Sequence, residues 1–119
     1  MSTDERIKEL IELLMLGTSN RKLRWETTVD EDAFRLSSPI ANIRLARSEG
    51  FDQEANEPFI SRSLTVFNDK SRVVEAYSPG WPAEQSRFDE LFQLARRSAC
   101  KTDEILDGLI DQMRNLVKA

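Results

Sequence analysis

The spacing of apolar residues changes twice along this chain, and that change restricts the fold more than any other feature. Ile7, Leu10, Ile11 and Leu14 recur at helical spacing near the start. Between Leu23 and Tyr77 the period drops to two, and from Phe88 to Val117 it is helical again. A helix gathers i, i+3 and i+4 on one side, whereas a strand alternates sides at each residue. The implied order is one helix, about four strands and then two helices. Consecutive strands with short turns make an antiparallel meander, and helices at the two chain ends cover one face of it. The expected class is therefore α+β, with both C-terminal helices packed on one sheet face, in a single domain spanning residues 1–119.

Local signals place the boundaries. Ser2 with Glu5 three residues later reads as a capping box, opening a helix that runs to about Leu16 and stops at Gly17. Leu23, Trp25 and Thr27 alternate with polar residues, as do Phe34 with Leu36 and Ile43 with Leu45. Asp30-Glu31-Asp32 and Ser37-Ser38-Pro39 separate these runs. Residues 48–59 carry Glu49, Asp52, Glu54 and Glu57, lack periodicity and contain Gly50 and Pro58, which predicts an acidic flexible loop. Leu64 with Val66 and Val73 to Tyr77 form a hairpin about Asn68-Asp69-Lys70-Ser71. Ser86 with Asp89 fits the next helix start, although Pro82 permits one a turn earlier. Thr102-Asp103-Glu104 looks like a fresh N-cap with acids in the first turn. No Gly or Pro marks that join, so one bent helix stays open. Beyond it Ile105, Leu106, Leu109, Ile110, Met113, Leu116 and Val117 form a stripe of roughly 140° at about 100° per residue, wide enough for more than one neighbour.

Composition narrows the chemistry. The chain has no histidine, one cysteine and four glycines, none in a phosphate-binding pattern. That removes the commonest general base at neutral pH, the usual serine and cysteine dyads and most transition-metal sites. Nothing in the sequence calls for a cofactor, a metal or a catalytic residue. Cys100 lies near the core side of its helix, as buried structural cysteines do, and the acids at 30–32 and 49–57 lack Ca²⁺-loop spacing. A net charge of −4 argues against non-specific nucleic-acid binding. No apolar run approaches the ~20 residues that span a bilayer. The N-terminus is unlike a secretory signal, and a lone cysteine fits a reducing compartment, so a soluble cytoplasmic protein is expected.

Two surfaces are candidates for function. If Trp25, Phe34, Leu36, Ile43 and Leu45 face the helices, then Arg24, Arg35 and Arg44 share the opposite face, where they could receive a carboxylate or phosphate. Glu26 and Glu75 would neutralise them across strands in the alternative. Trp81, held between Pro79-Gly80 and Pro82, is either a lid over the helix start or an exposed contact residue. On the first helix Leu13, Met15 and Leu16 fall outside the core stripe and suggest a second covered side or an oligomer surface.

The strand Leu23-Arg24-Trp25-Glu26-Thr27, the hairpin from Leu64 to Asn68-Asp69 and back through Val73-Val74-Glu75, and the run Leu91 to Ala99 leading to Asp103-Glu104-Ile105-Leu106 resemble a scattered group of small bacterial proteins and appended domains. That resemblance implies one compact domain and brings no established activity. In such proteins the hairpin turn often carries Gly, where this chain has Ser71. The expectation is a small interaction or regulatory protein acting by protein contact, as a homodimer or with another protein. A ligand- or nucleic-acid-binding module using the arginine face is the alternative, and an immunity or antitoxin-type protein a further one. An enzyme comes last.

Overall fold

The computed structural model describes residues 2–118 and has the α+β order, with five strands where about four were expected. Helix α1 (Thr3–Ser19) leads into β1 (Glu26–Thr27), β2 (Ala33–Ser37), β3 (Ala41–Asp52), β4 (Glu57–Asn68) and β5 (Val73–Tyr77). Helices α2 (Pro82–Ala99) and α3 (Thr102–Lys118) close the chain. All four strand pairs are antiparallel and adjacent in sequence, so the sheet is an uncrossed meander.

Register puts Phe34 beside Leu45, Leu36 beside Ile43 and Leu45 beside Leu64 on one sheet face. Against that face pack Ile7, Ile11 and Leu14 of α1 and Phe88, Leu91, Phe92 and Ala95 of α2. Phe92 sits between Phe34, 5.3 Å away between ring centres, and Phe88 at 6.5 Å. Leu45, Leu64, Phe88 and Leu91 are fully enclosed. Among the described residues no helix covers the other sheet face.

Several ends are set by chemistry the periodicity did not show. Ser2 caps α1, accepting from the Glu5 amide at 3.2 Å. The helix then continues through Gly17 to Ser19. Gly17 serves a close approach instead: a Cβ there would lie 2.6 Å from Leu23 Cδ1, and its carbonyl accepts from the Lys22 and Leu23 amides as the chain doubles back through Arg21 at φ 60°. Strand β1 is only two residues long because the Trp25 amide donates to Ser98 Oγ at 2.9 Å rather than to a neighbouring strand. The Trp25 indole N–H donates to Thr18 Oγ1 at 2.9 Å, and that hydroxyl donates to the Leu14 carbonyl at 2.7 Å, so a buried indole is satisfied in full. Helix α2 starts at Pro82, the earlier of the two options, with Trp81 at the cap position and no side-chain cap bond.

Two expectations are corrected. Most of residues 48–59 are not a loop: they continue β3 and β4 as a paired hairpin, turning only between Asp52 and Glu57. There Asp52 Oδ1 accepts from the amides of Glu54 and Ala55, so an acid that read as loop composition closes the turn. Gly50 permits the pairing, since the ring of its cross-strand partner Phe59 lies where a Cβ would be, 2.5 Å away. The second correction concerns how the last two helices pack. They are separate, as the Thr102 signal implied, and broken at Lys101 with φ 52°, but only α2 joins the layer on the sheet. Thr102 is already inside α3, the Lys101 carbonyl accepting from the Ile105 amide at 3.0 Å.

Both α3 and the hairpin tip project. Every residue from 51 to 61 is exposed, and none of α3 is buried among its described residues. The radius of gyration is 17.2 Å, against about 13.5 Å for a compact chain of this length.

Candidate interaction surface

Helix α3 carries its apolar residues in the pattern expected, yet nothing among the described residues buries them. Ile105, Leu106, Leu109, Ile110, Met113, Leu116 and Val117 keep between 44% and 83% of their surface in solvent. An apolar furrow along the helix is walled by Leu109, Ile110, Met113 and Val117, with Arg114 and Lys118 at its margin. The cause lies at the elbow. Arg97 donates to Asp103 at 2.6 Å, and Arg21 stands 3.5 Å from the same carboxylate, so the first turn of α3 is tethered to the ends of α2 and α1. That tether points the helix away from its own sheet. A cleft of about 220 Å³ opens beside it, with Leu23, Arg24, Trp25, Leu94, Lys101 and Asp107 in its lining.

The other candidates are distributed differently. Leu13 and Leu16 are 57% and 59% exposed on α1, whereas Met15 turns inward and packs on the core. The arginines are not one cluster. Arg35 and Arg44 are cross-strand neighbours on the open sheet face, but Arg24 precedes β1 and borders the elbow cleft. Arg35 is paired with Glu26 at 3.0 Å, and Arg44 lies 3.4 Å from Asp30 rather than near Glu75. Trp81 is 73% exposed, so it is not a buried lid over the helix start. Cys100, expected near the core, is exposed at the end of α2. The acids at 30–32 support a turn, Asp30 Oδ1 accepting from the Asp32 amide. No group of three or more His, Cys, Asp or Glu is placed to hold a metal among the described residues, and no described helix is long and apolar enough to cross a membrane.

One cluster escaped the sequence. Asp89 of α2 accepts from Arg47 Nε at 3.1 Å, from Arg62 Nε at 2.8 Å and from the second arm of the Arg62 guanidinium at 3.0 Å. The hydrogen bond from Arg62 is the main reason the Asp89 carboxyl titrates below its ordinary value, and the same bond raises Arg62. The available signal was parity: Arg47 and Arg62 continue the inward-facing series of Ile43 and Leu45 and of Leu64 and Val66. Partial burial also raises Tyr77, whose hydroxyl faces Glu84 at 3.3 Å. Arg87 ties α1 to α2 through Glu12 and bonds Glu90 of its own helix at 2.7 Å.

Comparison with protein-family models, curated proteins and solved structures finds no match. The partly buried charges hold elements together, Arg35 and Arg44 on the open sheet face already have carboxylates, and the apolar stripe of α3 has no partner within the described chain.

Proposed function

We propose that this protein acts by protein–protein contact, with α3 as the docking element. The observation that carries this is an amphipathic helix of 17 residues with seven apolar side chains on one face and none of its residues buried. Isolated helices of about 12–15 residues are marginal in water, and Gly108 in the middle of α3 costs about 1 kcal/mol relative to Ala. Propensity alone is thus a weak reason for α3 to persist. Fully burying a Leu, Ile, Val or Met side chain is worth about 1.5–3 kcal/mol, so covering the exposed share of seven is worth roughly 6–12 kcal/mol per helix before the costs of association. Contiguous apolar surface of this kind marks a contact site.

Light scattering on the full chain and on a Leu109→Asp/Met113→Asp variant tests the proposal. The expected result is an assembly above 13.7 kDa that the variant dissolves while keeping the melting profile of the α1–sheet–α2 body. A wild type that stays at monomer mass, together with a variant that melts far lower, would place the stripe inside the protein's own core and sink the idea.

A further inference from the structure

Taking α3 as the docking element, we infer that its partner is the α3 of a second copy, packed antiparallel about a two-fold axis level with Asp111. Charge is unevenly spread along the helix. Asp103, Glu104, Asp107 and Asp111 occupy its first two-thirds, while Arg114 and Lys118 occupy the end. At about 100° per residue, Asp103, Asp107 and Arg114 flank the Ile110–Val117 edge of the stripe, with Lys118 a little farther out. The opposite edge is bordered by Gly108, Gln112 and Asn115 and has no charge.

Inverting a second copy about Asp111 brings six of the seven apolar residues level with another, Ile110 alone falling level with the partner's Gln112. Leu106 meets the partner's Leu116, Leu109 meets the partner's Met113, and Ile105 meets the partner's Val117. Each contact recurs by symmetry, as a two-fold interface requires. These are the alternating layers of an antiparallel helix pair at coiled-coil spacing. The same register, without adjustment, sets Asp107 within one residue of the partner's Arg114, about 1.5 Å along the axis. This pair and its symmetry mate run along the flank that two antiparallel helices turn towards each other.

Parallel packing fails on both counts. It would gather the four acids of each copy at one end and face the charged flank with Gly108, Gln112 and Asn115. It would also align the two helix dipoles, which antiparallel packing opposes. Among the described residues Arg114 reaches only Asp111, at 3.9 Å, with 69% of its side chain exposed, and can turn to a partner. The size also fits. Covering the exposed share of the stripe removes roughly 400 Å² of apolar surface per copy, about the apolar half of an ordinary interface of ~800 Å² per partner.

The test uses full-length protein in a Cys100→Ser background, with Leu106→Cys and Leu116→Cys made separately. Under mild oxidation the expected product is a cross-linked dimer in the mixture of the two variants, and little in either alone. Cross-linking of Leu106→Cys with itself would overturn the antiparallel arrangement in favour of a parallel one. In a second arm without cysteines, Asp107→Arg should weaken the dimer by about tenfold at low salt and Asp107→Arg/Arg114→Asp should restore it; no restoration would overturn the register. A wild type that stays monomeric by sedimentation across the concentration range overturns self-pairing. In that case Leu109→Asp/Met113→Asp separates the two ideas. An unchanged melting temperature leaves α3 as a docking surface for another protein, and a lowered one removes that reading too.

Discussion

Asp89 and Arg62 form a two-pronged ion pair across the interface between α2 and β4, with contacts of 2.8 and 3.0 Å. It fixes where the helical layer ends on the sheet. On one side of it lie the enclosed residues Leu45 and Leu64, and beyond it the hairpin runs on uncovered to Phe51 and Ile60.

Removing the carboxylate should therefore cost stability in a pH-dependent way. Asp89→Asn leaves Arg62 and Arg47 facing a neutral partner, and the expected loss is about 1–3 kcal/mol at pH 7 in urea unfolding. The Asp89 carboxyl titrates below its unfolded value. Its contribution is accordingly complete above the unfolded value, near pH 4, and fades as pH falls through the lower folded one. Wild type should lose this increment on acidification. Unfolding curves of the Asn variant should lack that component, so equal acid sensitivity in both proteins would refute it.

The Trp25 indole depends on one hydroxyl. Thr18→Val keeps the volume but removes the acceptor, leaving a buried N–H without a partner, at an expected cost of about 1–3 kcal/mol. Ser98→Ala should act more mildly, since the Trp25 amide is only partly buried. Thermal melts with tryptophan emission as the second readout would check the order of the two effects. A silent Thr18→Val would contradict it.

Ser71 holds φ 63° in the β4–β5 turn, a conformation that suits glycine. Asn68 supports the turn by accepting the Lys70 and Arg72 amides on its side-chain oxygen. Ser71→Gly should raise stability by about 0.5–1 kcal/mol, while Asn68→Ala should lower it by about 1 kcal/mol. Chemical denaturation midpoints of the two variants should move in opposite directions.

Two leucines should respond differently to the same truncation. Leu91→Ala opens a cavity in the enclosed core, at an expected cost of about 2–5 kcal/mol at any protein concentration. Leu109→Ala touches no core residue, so its effect should be visible only where the protein self-associates. A concentration series of melting temperatures distinguishes them. A concentration-independent loss at Leu109 as large as that at Leu91 would count against the α3 interface.

The amino-acid pattern alone determined the α+β order, the inward-facing residues, the Ser2 cap, the 68–71 turn and the stripe on α3. These depend on interactions between residues close in sequence, or on a periodicity that survives whatever the neighbour is. Where strands continue was less legible: residues 48–59 looked like a loop because pairing between β3 and β4 does not need apolar alternation once backbone amides are matched. The Arg47–Asp89–Arg62 bridge and the Trp25–Thr18 and Trp25–Ser98 contacts join residues far apart or across a bend, so only packing could assemble them. Tertiary structure likewise decided what the stripe is for. Its periodicity says that one face avoids water. That the face is left uncovered follows from Lys101 breaking the helix and Asp103 being held by Arg97 and Arg21, which aims α3 away from the sheet.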